Sequence, residues 1–334
     1  MTLVLGARLA EAAGLGPALR VEPLPGGRNN RVFRLELAEG GRAALKIYFR
    51  HPEDPRDRLG AEWDFLEHAR RHAPGRTPAP LARDAAAGAA LHAFVEGRRF
   101  SCEEVDAAAV EAAADFICTA ATPGAAQDLR VASEACFSIS EHLAAIDRRV
   151  RLLETIDAQT PATDAAAHFI GERLRPLWER ARGDAERKCR VLGLDPHAKI
   201  DESQVIASPS DFGFHNALRT AAGCVFLDFE YAGRDDPAKL VCDFFCQPEL
   251  PIAEAHHELF LAGVLDRLGL ACHRDRVRVL LDCYRIKWVA IILNDFLPVG
   301  ARRRTFATIE DQEDRQARQL ALARARLDAL AFGD

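Results

Sequence analysis

The sequence predicts an α+β fold with two lobes, a small N-terminal lobe of sheet and helix and a larger, mainly helical C-terminal lobe. The chain has 334 residues, of which 49% are apolar, so it is long enough to bury more than one core. Strand-like alternation is concentrated between residues 21 and 97, whereas most of the later sequence is helical in character. We therefore expect a first lobe over residues 1–97 and a second lobe over residues 98–334.

The first predicted strands form a hairpin near residue 40. Phe33, Leu35 and Leu37 alternate with charged residues, which is typical of a half-buried strand. The pair Gly40–Gly41 then supplies the positive φ values that a tight turn needs. A second strand follows at residues 43–48, where the alternation of side chains places Lys46 on the same face as the small Ala44. This arrangement leaves room for a ligand beside a lysine that can reach a phosphate group.

A helix is predicted over residues 56–72, before Pro74 and Gly75. Glu62 shares an otherwise apolar stripe of this helix with Leu59 and Leu66. A lone buried carboxylate is unfavourable, so Glu62 requires a cation, and Lys46 is the obvious partner. A structural ion pair without any ligand is the alternative interpretation of this pair.

The remaining elements follow from turn and capping signals. Residues 90–97 are predicted to form a strand that stops at a glycine, and Ser101 with Glu104 forms a capping box that should open an alanine-rich helix extending to about residue 121. Short strands are expected around a Gly223 turn within residues 204–231. A charged amphipathic helix is expected from about residue 310.

The segment 208–216, Ser-Pro-Ser-Asp-Phe-Gly-Phe-His-Asn, carries the strongest chemical signal. Asp211 and Asn216 are five positions apart, and Asp228 follows at the end of the predicted hairpin. This is the order in which a kinase catalytic loop presents its base and its two magnesium ligands. Asp211 is the candidate base, whereas Asn216 and Asp228 are the candidate metal ligands. The pattern predicts a protein that transfers a phosphoryl group.

Residues near this motif admit more than one role. The loop with Gly26, Gly27 and Asn29 lets backbone NH groups approach phosphate oxygens, although an ordinary loop reads the same way. Alternation along a local strand puts Glu230 on the side of Asp228, where it either approaches the metal or substrate or pairs with Arg234. His215 is interpreted as a packed loop residue rather than a catalytic one.

Composition and charge restrict the partners and the compartment. The net charge of −6 gives no basic footprint for nucleic acid, so a small-molecule partner fits better. The N-terminus does not read as a secretory signal, and the longest apolar run, residues 288–293, is far too short to span a membrane. We expect a cytoplasmic protein that does not bind a membrane.

The nine cysteines are scattered without a CxxC pair, and they are expected to be reduced and mostly buried. A metal site formed by Cys242 and Cys246 with His256 and His257 is the alternative, and it is disfavoured because free cysteines are usually buried.

Together these residues resemble the aminoglycoside phosphotransferase and choline kinase-like group, small-molecule kinases with a protein-kinase-like fold. The resemblance covers most of the chain, and the catalytic-loop and Asp228-Phe-Glu motifs are its specific parts. It implies that the cofactors are ATP and Mg²⁺, with Asp211 as catalytic base and Asn216 and Asp228 on the metal. It further implies a hinge at about 92–97 that contacts the nucleotide. The residues expected to bind the nucleotide are Gly26, Gly27, Asn29, Lys46, Glu62, Phe94 and Glu96.

Two positions depart from the pattern of this group. The group usually has His-Gly before the catalytic aspartate, whereas this chain has Pro209 and Ser210. The group also tends to place an aspartate four residues after the aspartate of its Asp-Pro pair, but here that position is Leu240 and the nearest carboxylate is Asp243. The base and the metal positions are retained, so we expect activity, with the helix after Pro237 in a different register.

The acceptor is predicted to be a small-molecule hydroxyl compound, most simply a sugar, an amino sugar or a related metabolite. Besides Glu230, the candidate acceptor residues are polar positions in an otherwise apolar helix: Lys287, Trp288, Asn294 and Asp295. A role in helix packing is an equally good interpretation of these residues. An aminoglycoside and choline or another amino alcohol are alternative acceptors, although the three Trp and three Tyr offer little for an aromatic cage.

Proteins of other classes fit the sequence less well. A nucleotide-binding pseudokinase that acts through a protein partner is suggested by Pro209 and Ser210. A dinucleotide-binding oxidoreductase has only Gly14 and Gly16 in its favour and lacks the third glycine of that fingerprint. The P-loop motif of other nucleotide-binding folds is absent from the sequence.

Overall fold

In the computed structural model, which describes residues 2–25, 29–121, 124–307 and 310–330, the N-terminal part is an antiparallel sheet with two helices. The five strands lie in the order β1-β2-β3-β5-β4. In chain order the elements are α1 (Thr2–Ala12), β1 (Ala18–Pro23), β2 (Arg31–Leu37), β3 (Arg42–Ile47), α2 (Arg58–His72), β4 (Pro80–Asp84) and β5 (Ala89–Ala93).

The predicted hairpin of β2 and β3 is present. Leu35 and Leu45 are fully buried, and Gly40 adopts a φ of 78° in the turn between the strands. Helix α1 packs against this face of the sheet through Leu9. The alternation in the sequence thus identified the buried face of the hairpin correctly.

Helix α2 carries its apolar stripe inward, and Leu59 packs against Tyr48 and Ala90. Asp57 caps the helix by accepting a hydrogen bond from the backbone NH of Gly60, so α2 begins two residues later than predicted. Leu59, Glu62 and Leu66 are all buried, as the stripe predicted. The helix ends at His72, before Pro74.

The remainder of the described chain is mainly helical, with short strand pairs between the helices. In chain order the elements are β6 (Arg98–Arg99), α3 (Ala107–Ala120), α4 (Ile139–Leu153), α5 (Pro161–Phe169), α6 (Arg175–Leu192), β7 (Ile206–Ser208), β8 (Ala217–Thr220), β9 (Gly223–Phe226), β10 (Gly233–Asp235), α7 (Pro237–Cys246), α8 (His257–Leu261), α9 (Arg274–Ile292), α10 (Pro298–Ala307) and α11 (Gln312–Asp328). The predicted α+β architecture, a small sheet-plus-helix part followed by a larger helical part, is confirmed.

The prediction for residues 90–121 was wrong in two details. The strand predicted at 90–97 ends at Ala93, and the chain continues as an open segment into β6. The capping box at Ser101 is present, but it closes a single 3₁₀ turn over Cys102–Glu104. Helix α3 begins only at Ala107, because Asp106 accepts a hydrogen bond from the backbone NH of Ala109 and provides the actual cap.

A cluster of phenylalanine rings fixes the strands that carry the catalytic motif. The ring of Phe212 lies 4.7 Å from that of Phe226 and 5.4 Å from that of Phe244, measured between centroids. Phe116 on α3 stacks on Phe226 at 4.7 Å. Since these rings are buried, the loop after β7 and the end of β9 are held in one place.

Within the described residues, none of the helices combines the length and the apolar character needed to cross a membrane.

Candidate active site

Asp211 lies in the loop between β7 and β8, at the edge of a cleft of about 1140 Å³. Asn216 donates a hydrogen bond from Nδ2 to the backbone carbonyl of Asp211 at 3.0 Å, so the two predicted residues lie together. The bond occupies the amide nitrogen of Asn216 and leaves its Oδ1 as an acceptor. Both side chains line the cleft.

Asp228 comes to the same place from the other strand of the β8–β9 hairpin. The backbone NH of Leu227 donates to the carbonyl of Asn216 at 2.8 Å, which puts Asp228 just beyond the last paired residues. Asp228 has a φ of 66°, a value that non-glycine residues rarely adopt. This turn of the backbone ends the strand and directs the carboxylate into the cleft.

Lys46 bridges Asp228 and Glu62. Its Nζ donates to Glu62 Oε2 and to Asp228 Oδ1, both at 2.6 Å. Burial alone would lower the pKa of Lys46, but the Asp228 and Glu62 carboxylates outweigh it and raise the pKa well above its usual value. The predicted contact between Lys46 and Glu62 is therefore present, and the ammonium is charged at neutral pH.

The oxygens of Asn216 and Asp228 fit a magnesium ion. Mg²⁺ prefers hard oxygen ligands and is usually held by one or two carboxylates together with substrate phosphates. The Asp228 side chain is 35% exposed to the cleft, and only its Oδ1 is engaged by Lys46. Among the described residues no cluster of three or more His, Cys, Asp or Glu has the arrangement of a metal site, so a metal here would depend on the nucleotide for further ligands.

Glu230 anchors Asn29 and Asn30, the two residues just before β2. Gly26 and Gly27 lie outside the described residues. Asn29 and Asn30 donate their Nδ2 groups to Glu230 at 2.7 and 2.8 Å, and Arg58 Nε lies 3.1 Å from the same carboxylate. Glu230 is only 1% exposed and does not line the cleft.

The prediction that Glu230 contacts substrate was therefore wrong, as was its alternative pairing with Arg234, which contacts Glu202. The alternation argument assumed a regular strand, and the positive φ of Asp228 interrupts it. Glu230 consequently points away from the cleft toward Arg58.

The predicted hinge contributes to the cleft through its first residues. Phe94 and Val95 line the cleft, next to the buried His92. Glu96 does not line it, because its side chain points outward and pairs with Arg42 on β3. A nucleotide contact by the Glu96 carboxylate is thus not supported, and only Phe94 of these two predicted residues faces the site.

The candidate acceptor residues divide into two groups. Lys287, Trp288 and Asn294 line the cleft, whereas Asp295 is 2% exposed and does not. The Asp295 carboxylate accepts two hydrogen bonds from Arg315 at 2.6 and 3.1 Å, which fix α11 against the end of α9. The prediction that Asp295 contacts the acceptor was wrong, since this carboxylate serves helix packing.

Asp243 organises the wall of the cleft beneath Asp211. Lys287 Nζ and Trp288 Nε1 each donate to Asp243 Oδ1 at 2.9 Å, and Lys239 Nζ lies 3.2 Å from Oδ2. Leu240 is completely buried. On α7 it is therefore the Asp243 carboxylate that lines the cleft, while Leu240 packs in the core.

Lys239 and Ser208 both contact Ser210, the residue that precedes Asp211. Ser210 has a φ of 68°, a conformation that glycine adopts without strain and other residues disfavour. The Ser210 hydroxyl accepts a hydrogen bond from Lys239 at 3.3 Å, and the backbone NH of Ser210 donates to Ser208 Oγ at 3.1 Å. Sequence reasoning did not find this lysine, because only the folded chain brings α7 under the loop.

His215 is a second residue whose role the sequence did not reveal. Its Nε2 lies 3.2 Å from Asp211 Oδ1, and its ring is almost fully buried. Burial alone would raise the pKa of Asp211, but His215 outweighs it and holds the pKa below its usual range. The only signal in the sequence was that His215 follows Asp211 by four residues. In a loop, this spacing does not show whether the two side chains are in contact.

Replacing His215 with Gln should change how stability depends on pH. Burial alone would lower the pKa of His215, but Asp211 outweighs it and raises the pKa. A raised pKa adds stability that is complete below the unfolded-state value and lost as pH rises through the folded-state value, whereas the lowered pKa of Asp211 adds stability that is lost in acid. Wild type should exceed the variant in free energy of unfolding by on the order of 1 kcal/mol at about pH 5.

Urea unfolding of the ligand-free protein at pH 5 and pH 9 measures this difference. The difference should become smaller at pH 9, because the stability that the charge of His215 adds is lost as pH rises through its folded-state pKa. The same difference at both pH values would show that His215 acts by packing and not by its charge.

Comparisons with known proteins are consistent with the fold. No protein-family model matches the chain, and no curated protein sequence matches it. Among solved structures, the choline kinase LicA from Streptococcus pneumoniae is similar over 98% of both chains, with a TM-score of 0.62 and 17% identity. A choline/ethanolamine kinase family protein from Mesorhizobium loti covers 98% of this chain and 95% of its own, with a TM-score of 0.60 and 18% identity.

A third similar structure is the macrolide 2′-phosphotransferase MphH from Brachybacterium faecium. It covers 99% of this chain and 100% of its own, with a TM-score of 0.58 and 16% identity. At these identities the likeness concerns the fold alone. The resemblance to small-molecule kinases with a protein-kinase-like fold is therefore confirmed for the architecture.

Proposed function

We propose that this protein is a kinase of small molecules, which uses ATP and Mg²⁺ to phosphorylate a hydroxyl group of a sugar, amino sugar or related metabolite. The observation that carries the proposal is the convergence of four elements on one cleft. Asp211 and Asn216 from the catalytic loop, Asp228 after β9 and Lys46 on β3 all line it, and Glu62 on α2 holds Lys46. In this proposal, residues 1–97 bind the nucleotide and residues 98–334 supply the catalytic loop and the acceptor site.

The residues have distinct roles in the transfer. When bound, ATP supplies the phosphoryl group and Mg²⁺ offsets the negative charge that develops on it. Asp211 accepts the proton of the acceptor hydroxyl as the hydroxyl oxygen bonds to the γ-phosphorus and the bond from phosphorus to ADP breaks. Asn216 and Asp228 hold the metal through side-chain oxygens, and Lys46 binds the phosphates.

The surrounding residues orient these groups. Glu62 fixes the position of the Lys46 ammonium, and Glu230 holds Asn29, whose side chain lines the cleft. Phe94 and the neighbouring backbone offer a surface for adenine. His215 keeps the Asp211 carboxylate in the cleft and ionised.

The similar structures support the proposal, because they include a choline kinase and a macrolide 2′-phosphotransferase, two enzymes with different acceptors. A choline or amino-alcohol kinase and an aminoglycoside phosphotransferase remain the alternative enzymes. Trp288 supplies one aromatic wall, but its Nε1 is directed at Asp243 and the cleft offers no aromatic cage among its described lining residues.

A nucleotide-binding pseudokinase is the alternative from a different class. The altered residues before Asp211 suggested it, yet Lys239 and Ser208 hold Ser210 in the required conformation. The Asp211 side chain lines the cleft in spite of the change at Pro209 and Ser210, which supports the enzyme over the pseudokinase.

An acceptor panel with ADP release as the readout tests the proposal. The panel contains neutral sugars and polyols, sugar acids, amino sugars, choline and an aminoglycoside, each with ATP and Mg²⁺. At least one acceptor should stimulate ADP release by wild type. If the protein bound ADP but produced no ADP from ATP with any acceptor, the enzyme would be rejected and the pseudokinase favoured.

A further inference from the structure

Arg303 is a buried cation on α10 that faces the cleft. Its side chain lines the cleft, and the residue is only 7% exposed. Within the part of the chain that the structure describes, no carboxylate forms an ion pair with Arg303, and its Nε has no hydrogen-bond partner. A guanidinium this deeply buried without a carboxylate partner is unfavourable, so an anion bound in the cleft would stabilise it.

Other buried arginines of this fold have carboxylate partners. Arg58 contacts Asp54 at 2.7 Å and Glu230 at 3.1 Å. Arg315 contacts Asp295 at 2.6 Å, and Arg276 pairs with Asp236. The fold thus neutralises guanidinium groups where it uses them for packing. The different state of Arg303 indicates a group that is kept for a bound anion.

The position of Arg303 favours the acceptor over the nucleotide as the source of this anion. Helix α10 packs against the turn that carries Asn294, in the helical part of the chain, and Arg303 interacts electrostatically with Tyr231 of the same part. The residues expected to contact adenine lie in the segment after β5, in the other part. The phosphates of ATP already have Lys46 and the proposed metal ligands as partners.

Charge on the cleft lining argues against a cationic acceptor. Glu134 accepts hydrogen bonds from Arg149 at 2.6 and 2.7 Å, so its charge is already balanced. Asp243 is shared by Lys239 and Lys287. Both carboxylates are therefore engaged by the protein itself, while Arg303 is not.

We propose that Arg303 binds an anionic group of the acceptor, so that the phosphorylated hydroxyl belongs to a molecule that also carries a carboxylate or a phosphate. This inference rests on the proposed kinase function and narrows its substrate class from sugars in general to acidic ones, such as sugar acids and sugar phosphates. A planar guanidinium binds both groups through paired hydrogen bonds.

Matched acceptors that differ only in charge test the proposal. We would measure kcat/KM for glycerol against glycerate and glycerol 3-phosphate, and for glucose against gluconate and glucose 6-phosphate, with choline and glucosamine as cationic members. Wild type should prefer an acidic member over its neutral counterpart. Arg303→Gln should reduce kcat/KM for the acidic acceptor by roughly 10- to 100-fold and change that for the neutral one little.

Arg302→Gln is the control, because this neighbouring arginine is exposed, does not line the cleft and donates to His51 at 2.7 Å. It should leave both values unchanged. Calorimetric titration with ADP and Mg²⁺ distinguishes the source of the anion. Equal ADP affinity in wild type and Arg303→Gln would support the acceptor as the source of the anion. A loss of ADP affinity as large as the loss of kcat/KM for the acidic acceptor would assign Arg303 to the nucleotide and overturn the proposal.

Urea unfolding separates a ligand-binding role from a structural one. Loss of a buried, unpaired charge should leave the stability of Arg303→Gln equal to or above that of wild type. A clear loss of stability, or a wild type that phosphorylates only neutral or cationic acceptors, would refute the acidic acceptor and leave the kinase function intact. If none of the acceptors, acidic, neutral or cationic, stimulated ATP turnover, the kinase function itself would be refuted.

Discussion

Asp211→Asn should lower turnover by roughly 10²- to 10⁴-fold, the usual range for loss of a general base. The amide has nearly the shape of the carboxylate, so the loop between β7 and β8 should keep its conformation, but the amide cannot take the acceptor proton. The affinity for ADP and Mg²⁺ should change little, because Asp211 is not among the proposed ligands of metal or nucleotide. Steady-state ADP release with the best acceptor measures the first effect, and calorimetry measures the second.

Asp128→Asn provides the matched control for Asp211→Asn, since it makes the same change at an exposed position that does not line the cleft. It should retain wild-type turnover. Unchanged turnover in Asp211→Asn on every active acceptor would remove this residue from the catalytic role and leave the mechanism without its base.

Asp228→Asn should impair both turnover and nucleotide binding. The substitution takes away a charged metal ligand, and a metal ion contributes several kcal/mol to stabilising the charge of phosphoryl transfer, so a loss on the order of 10²-fold or more is expected. It also removes one of the two carboxylates that flank Lys46. In wild type, ADP should bind much more tightly with Mg²⁺ than with EDTA. In the variant, the two ADP affinities should be similar.

The two aspartate variants have different signatures, which makes their assignments separable. Asp211→Asn should retain the effect of Mg²⁺ on ADP binding, and Asp228→Asn should lose it. If Asp228→Asn bound ADP with the same dependence on Mg²⁺ as wild type, the metal would have to be held elsewhere.

Local patterns predicted the parts of the site that lie on regular elements. Lys46 and Glu62 were paired from the sequence because a strand alternates with a period of two and a helix repeats every three to four residues, so each side chain had a defined face. Both faces were correct in the fold. The spacing of Asp211 and Asn216 was informative for a different reason, since it matches the order of base and metal ligand in a kinase catalytic loop.

The failures occurred where the backbone is irregular or where partners are distant in sequence. Glu230 was misplaced because the positive φ of Asp228 ends the alternation, and nothing in the residue types announces that angle. Asp295 was misassigned because its partner, Arg315, is on another helix. Lys239 and Arg303 were missed because the role of a buried lysine or arginine depends on its contacts, and tertiary packing brings those contacts from distant parts of the sequence.

The contact between Lys46 and Asp228 has a consequence for the order in which ligands bind. In the ligand-free cleft the ammonium occupies one oxygen of a proposed metal ligand, so a divalent ion arriving alone must compete with a bond of 2.6 Å. A nucleotide supplies phosphate oxygens that can replace Asp228 as the partner of Lys46, which frees the carboxylate at the moment the metal needs it. Metal and nucleotide binding are then linked by an exchange of partners, and each should strengthen the other. Lys46 thus keeps carboxylate partners in the absence of ligands, and in the proposed function the metal binds tightly only together with a nucleotide.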